Sequence, residues 1–183
     1  GSGVYTYTLA SQTNLNELTA TWTGTFGGNA MTFTTQHSIV GGFYCTPSEV
    51  AAMTIIAGES STFPTSDIVR AINQAERVID DYTGVSFVYR YHRDVFDGNG
   101  TSELRLTHMF PQVIISGSIG GTALTATQIS DMNKYKSGVI RLKEDIWAFT
   151  NPGGQVIVNY EAGVDKTAPE PISFVAKSLA RHT

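Results

Sequence analysis

The feature that most constrains this chain is the run from Thr65 to Gly84. Ile68, Ala71, Ile72, Ala75, Val78, Ile79 and Tyr82 recur at intervals of three and four, the spacing that gathers side chains on one face of an α-helix. Arg70, Asn73, Gln74, Glu76, Arg77, Asp80 and Asp81 fill the other positions. Thr65 or Ser66 can cap the start, and Gly84 stands where a left-handed glycine closes a helix. A helix of about four to five turns with one apolar face must bury that face against something. The seven apolar residues are the expected helix core. Glu76 and Asp80, with Asp81 beside them, are expected on a solvated face, where Arg77 and Asp81 can form a surface ion pair.

What the helix packs on reads mostly as strand. Phe87, Tyr89 and Tyr91 alternate with Val88, Arg90 and His92. Leu104 with Leu106, Val113–Ile115, Val139–Leu142 and Gln155–Tyr160 continue the pattern. Turn signals separate them at Asp97-Gly98-Asn99-Gly100, Gly120-Gly121 and Ser137-Gly138. A shorter helix precedes the long one. Thr46-Pro47-Ser48-Glu49 has the form of a capping box, and Val50, Ala51, Met53 and Ile56 extend it to Gly58, before a loop over residues 59–64. Pro169 and Pro171 open a last helix carrying Ile172, Val175, Ala176 and Leu179 on one side. The fold class is therefore α+β, with amphipathic helices packed on an antiparallel β region.

Residues 1–44 form a separate β-rich module before an α+β domain over residues 45–183. Val4–Leu9 is aromatic and β-branched, Leu18, Ala20 and Trp22 alternate with Thr, and Met31 and Phe33 repeat the pattern after Gly27-Gly28-Asn29. Ile39–Tyr44 reads as a fourth strand with a bulge at Gly41-Gly42. Four short strands rarely stand alone, so this module is expected to pack on other protein. Gly1-Ser2-Gly3 reads as an engineered scar or a processed end, and Ala180–Thr183 as an unfinished helix.

Charged residues are only 15% of the chain, against roughly 25% in typical domains. That low value, with abundant Thr, Gly and aromatic residues, suits β structure and surfaces that other protein covers. The net charge is -4, and Lys134 with Lys136 is the nearest approach to a basic cluster. Tight nucleic-acid binding is therefore not expected. No apolar stretch reaches the roughly 18–20 residues of a membrane span. The lone cysteine, Cys45, excludes an intrachain disulfide and is expected to be a small buried hydrophobe.

No catalytic or metal-binding constellation emerges, so no cofactor and no enzymatic activity is expected. His37, His92, His108 and His182 lack metal-ligand spacing. Asp94, Asp97, Asn99 and Thr101 have the wrong spacing for a calcium loop and read as a turn. Gly117–Gly121 lacks the lysine and following helix of a phosphate loop. An acid–base site would require His92, Asp94 and Glu103 to meet in one pocket.

Four groups of residues carry a resemblance to a known family. They are Ile68-x-x-Ala71-Ile72-x-x-Ala75-x-x-x-Ile79-x-x-Tyr82-Thr83-Gly84 running into Phe87; Phe96-Asp97-Gly98-x-Gly100 with Leu104-x-Leu106 and Phe110-Pro111; Ser137-Gly138-Val139-Ile140-x-Leu142; and Val156-x-Val158-x-Tyr160-x-Ala162-Gly163 with Pro171-x-x-x-Val175-Ala176. In this order, residues 64–181 resemble the head–tail connector (adaptor) family of tailed bacteriophages. The resemblance implies a structural virion protein in the neck between head and tail. It implies a homo-oligomeric, dodecameric ring that binds the portal protein, extends the DNA channel and offers a site to the tail or a stopper protein. DNA would pass through the lumen without specific binding. It also implies a C-terminal segment reaching the portal, which names Ile172, Phe174, Val175 and Leu179 as portal-interface residues; packing within their own subunit is the other reading.

The module over residues 4–44 lies outside that family's common core. It reads as a peripheral decoration or as a strand-exchange element that adds to a neighbour's sheet. Two other functions stay open: a tail-completion or stopper protein of the neck, and a carbohydrate- or cell-surface-binding module using Trp22, Tyr5, Tyr7 and Tyr89. Against the latter, aromatic residues at strand spacing usually belong to a core.

Overall fold

The computed structural model describes residues 15–39, 41–56, 64–143 and 155–181. The expected strand Val4–Leu9, Gly58 with the loop over 59–63, and His182 lie outside them. The chain divides into two units, Gly1–Val40 and Gly41–Thr183.

In the first unit, β1 (Asn16–Phe26) and β2 (Asn29–Ile39) form an antiparallel hairpin in unbroken register from Asn16↔Ile39 to Phe26↔Asn29. Gly27 and Gly28 make its two-residue turn, both at positive φ (58° and 83°), the combination that matches the twist of the flanking strands. Each strand is longer than expected, because the threonines between the apolar residues are themselves β-branched and continue the strand. The expected strand over Ile39–Tyr44 does not form. β2 ends at Ile39, and Gly41 makes only an isolated bridge to Arg90. A side chain at Gly41 would strike the Tyr89 carbonyl, so the chain passes there as a close backbone crossing.

The second unit runs α1 (Pro47–Ile56), α2 (Thr65–Thr83), β3 (Arg90–Asp97), β4 (Glu103–Arg105), β5 (Pro111–Ile119), β6 (Thr122–Ala123), α3 (Ala126–Ser130), β7 (Asn133–Lys134), β8 (Val139–Arg141), β9 (Gln155–Ala162) and α4 (Glu170–Arg181). One antiparallel sheet has the order β3-β9-β5-β6 and another the order β4-β8-β7. β9 is central, and Val156, Val158, Tyr160 and Ala162 point to its buried face at period two. Leu104, Leu106, Ile114, Met132, Ile140 and Leu142 close the same core. The turn over Asp97–Gly100 therefore joins strands of two different sheets and is not a hairpin. Asn99 organises it. The Asn99 Oδ1 accepts from Thr101 N at 3.0 Å, and its Nδ2 donates to the Glu103 carbonyl at 2.7 Å.

A second core is helical. Ile72, Ala75 and Ile79 of α2 meet Ala176 and Ala180 of α4, Val50 of α1, and Tyr44, Cys45 and Val88, with Ile68, Ala71 and Ile172 half-buried at its margin. The small Ala side chains let α4 approach α2 closely. Each fully buried Ile or Val is worth about 1.5–3 kcal/mol over an exposed one. Thr46 and Glu49 form the expected capping box. Thr46 N donates to Glu49 Oε2 at 2.7 Å, and Glu49 N donates to Thr46 Oγ1 at 3.3 Å. Gly84 adopts φ 70° and its N–H bonds the Asp80 carbonyl at 2.7 Å.

Three expectations for α2 are corrected. Val78 is 53% and Tyr82 91% exposed. At about 100° per residue, Ile72, Ala75, Glu76 and Ile79 define the buried stripe, and Val78 lies beyond its edge. Tyr82 falls in the last turn. Glu76 is 2% exposed, in place of the expected solvated carboxylate. Neither Thr65 nor Ser66 caps the helix, which starts after Pro64 without a side-chain cap bond. α3 was not expected, although Thr125 and Gln128 spell its capping box.

Candidate interaction surface

α4 is the element the resemblance singled out, and its sequence separates two faces. Ala176 and Ala180 turn inward. Phe174 (59% exposed), Val175 and Leu179 are exposed. Ile172, the fourth candidate, is half-buried and packs on the helical core, so it belongs to its own subunit's interior. Ser173 N donates to the Pro169 carbonyl at 2.9 Å and closes the first turn, while Lys177 Nζ lies 3.5 Å from Glu49 Oε1 of α1. Three large apolar side chains thus sit on a fixed scaffold.

Under the helices lies a buried polar network. Arg90 Nη2 donates to Glu76 Oε2 at 2.6 Å, and Arg90 Nε donates to Ser86 Oγ at 3.1 Å. Tyr44 N donates to Glu76 Oε1, and Tyr44 OH donates to Asp80 Oδ1 while accepting from Phe87 N at 2.8 Å. The Arg90 guanidinium stands 5.4 Å from the Tyr44 ring centroid, a cation–π distance. Burial, then the bond to Asp80, pushes the Tyr44 hydroxyl above its ordinary value. Burial likewise raises Asp80 against the pull of Tyr44 and Arg90. Burial works against the charge of Arg90, but Glu76 and Asp80 outweigh it and hold the guanidinium firmly protonated. The network ties residues 44–46, α2 and the start of β3 into one piece. Cys45 is buried beside it, and burial with Glu76 and Glu49 pushes its thiol up to about 11, so it behaves as an inert hydrophobe.

A second polar cluster braces the loop over 107–110. Tyr160 OH donates to Asp94 Oδ2 at 2.7 Å, and Thr107 N donates to the same oxygen at 2.8 Å. His108 Nδ1 lies 3.2 Å from Tyr160 OH, and the His108 and His92 rings stack at 3.6 Å between centroids. Burial, then the charge of His108, pushes His92 down to about 4, and its Nε2 is buried with no hydrogen-bond partner among the described residues. Burial and Asp94 push the Tyr160 hydroxyl far up. His92 and Tyr160 are thus held neutral within this brace. Phe110 completes the loop at φ 59°, a conformation that costs a non-glycine residue energy. Its N–H bonds the Lys136 carbonyl at 3.0 Å and its carbonyl accepts from Gly163 N at 3.1 Å.

His92 and Asp94 therefore come together, but with Tyr160 and His108 as partners; Glu103 is exposed on β4. Sequence reasoning had no signal for Tyr160, which reads as one more core aromatic. Among the described residues, no group of three or more His, Cys, Asp or Glu is placed to hold a metal ion. No helix among them is long and apolar enough to cross a membrane. His37 sits exposed on the hairpin against Thr35. Trp22 is 40% exposed, opposite Phe33 at 65%, so Trp22 is not the core residue its strand spacing led one to expect. Tyr89 is half-buried, and Tyr5 and Tyr7 lie outside the described residues.

No protein-family model matches the sequence. No curated protein matches it either. Solved structures do. A chain from the neck of an empty GTA particle, computed with C6 symmetry, superposes with a TM-score of 0.56 at 14% identity, over 73% of this chain and 75% of that one. A chain from the virion of a native gene transfer agent (GTA) particle gives 0.52 at 13% identity, over 67% of each. At these identities the likeness is one of fold.

Proposed function

We propose that this chain is a non-enzymatic structural protein of the neck of a phage-like particle, where copies form a ring that joins the portal to the tail and extends the DNA channel. The observation that carries the reading is the shared fold with chains from a GTA neck and virion, reached independently of the motif order in residues 64–181. The α4 surface supports it. Phe174, Val175 and Leu179 are exposed on a rigid helix, and exposed apolar side chains in a row mark protein contacts. Low charge and a net charge of -4 leave nothing to arrest passing DNA. The buried titratable groups serve as braces between segments, which supports a structural role over a catalytic one.

Electron cryo-microscopy of a particle carrying this protein tests the reading. A closed ring between portal and tail, with α4 against the portal, is the expected result. Density at fibres, at the tail tip or on the capsid would overturn it. A position next to the tail with α4 remote from the portal would instead support a stopper or tail-completion protein.

A further inference from the structure

The hairpin of residues 16–39 is unlike the rest of the molecule. One face carries Leu18, Ala20, Trp22, Met31 and Phe33; the other carries Glu17, Thr19, Thr21, Thr23, Thr32 and Thr34. Met31, Phe33 and Trp22 are all exposed. Among the described residues, β1 and β2 pair only with each other, so each presents one edge of unpaired backbone N–H and C=O groups. Natural edges of this length are usually blunted by lysine, proline, a bulge or inward charge. Here the register is unbroken, and residues 16–39 contain no Lys, Arg, Asp or Pro and a single Glu.

We infer that this hairpin adds edge to edge to the same hairpin of a second copy of this chain, β2 of one beside β1 of the next. Charge selects that occupant. A hairpin with one carboxylate and no cation offers nothing to a charged partner, yet meets its own copy without like-charge repulsion. Backbone direction allows it: β1, β2 and the next β1 alternate, so every added pair is antiparallel. The contact is head-to-tail, the type that closes into rings. Trp22 of one copy then lies on the same sheet face as Phe33 of the next. The area argues for a contact made within an assembly. A strand edge about 37 Å long and about 10 Å deep offers roughly 370 Å², well under the ~800 Å² per partner of a standard interface. Free copies are not held by it; copies already placed side by side are. The inference therefore rests on the ring reading above.

Two single-cysteine variants of the full chain, Thr21→Cys on β1 and Thr34→Cys on β2, test it. Both positions are exposed, and they face each other within one hairpin, so each variant alone carries one reactive thiol. Cys45 is buried and inert. The variants are assembled singly and as an equimolar mixture, oxidised to form disulfides, which need Cα atoms within about 7 Å, and resolved by non-reducing denaturing gel, with assembly mass read separately by native mass spectrometry. The expected result is a covalent dimer in the assembled mixture and its loss in either variant alone. Dimers within one variant would mean an isologous contact and overturn the inference. A ring without a mixed dimer would also overturn it, leaving the ring reading intact; residues 4–9 taking the β1 edge within one chain would give this outcome. A particle whose neck holds no ring of this chain would remove the ring reading and the inference with it.

Discussion

Arg90 Nη2 lies 2.6 Å from Glu76 Oε2, with Glu76 almost wholly excluded from solvent and Arg90 partly buried. The two come from different elements, α2 and the first residue of β3, so this contact joins the helical layer to the four-stranded sheet. A buried pair of this kind is weak as a net stabiliser, because desolvation offsets the attraction. Removing one partner is a different matter. Arg90→Met would leave the Glu76 carboxylate buried with only Tyr44 N as donor. The expected loss is about 3 kcal/mol, read as a lower urea midpoint at unchanged slope. The double variant Glu76→Met, Arg90→Met should recover part of that loss, since it removes the stranded charge. A double variant less stable than Arg90→Met would show that the ion pair is a large net stabiliser.

This pair also marks where the sequence stops being legible. The α2 face, its closing glycine, the Thr46–Glu49 box and the alternating burial of β9 follow from local spacing. Glu76 does not. It lies on the apolar stripe by helical geometry, but a glutamate in a polar series reads as solvated until its partner fourteen residues away is placed against it. Val78 and Tyr82 fail for the opposite reason: they have apolar side chains at helical spacing, but among the described residues no element buries them. The portal-interface candidates divide in the same way. Phe174 and Val175 lie within two residues of the buried Ala176, and only packing tells an outward apolar residue from an inward one.

His92 gives a pH dependence whose sign can be worked out. Its ring is stacked on His108 and faces Asp94, Tyr160 and Arg90. The folded state holds it down to about 4 against an ordinary 6.5. The unfolded chain therefore takes up a proton first. The stability due to a neutral His92 is complete above pH 6.5 and is lost as pH falls toward 4, by on the order of 2–3 kcal/mol. His92→Phe keeps the stack and removes the proton. Denaturant melts at pH 7.5 and 4.5 should show a smaller acid loss in the variant than in the wild type. Equal losses would mean His92 is protonated in the fold.

Glycine substitutions should divide by what surrounds them. Gly163 has φ 151°, and an added Cβ would run into the Val88 carbonyl. That crossing joins β9 to the Val88–Asp165 bridge, and neither backbone can yield alone. Gly163→Ala should fail to give soluble folded protein. Gly84 has φ 70° with open space around it, so Gly84→Ala should cost only about 1–2 kcal/mol, the ordinary left-handed penalty. Comparing soluble yield and melting temperature for the pair checks the distinction; comparable behaviour would mean the strand crossing relaxes.

The outward face of α4 makes the sharpest separation between folding and assembly. Phe174 is mostly exposed and Val175 nearly half-exposed, so replacing either with a carboxylate removes far less buried area from the isolated chain than a core substitution does. Phe174→Asp and Val175→Asp should leave the melting temperature close to the wild-type value. Ala176→Asp, on the inward face, buries a charge against α2 and should prevent folding. If α4 docks on a portal, each outward carboxylate must be desolvated without a partner, and attachment should be lost while folding is kept. Thermal melts and co-sedimentation with portal assemblies read the two effects apart. A drop in melting temperature matching that of Ala176→Asp would place Phe174 and Val175 inside their own subunit. Unchanged stability with unchanged attachment would move the docking surface elsewhere, toward the exposed Val78 and Tyr82 of α2.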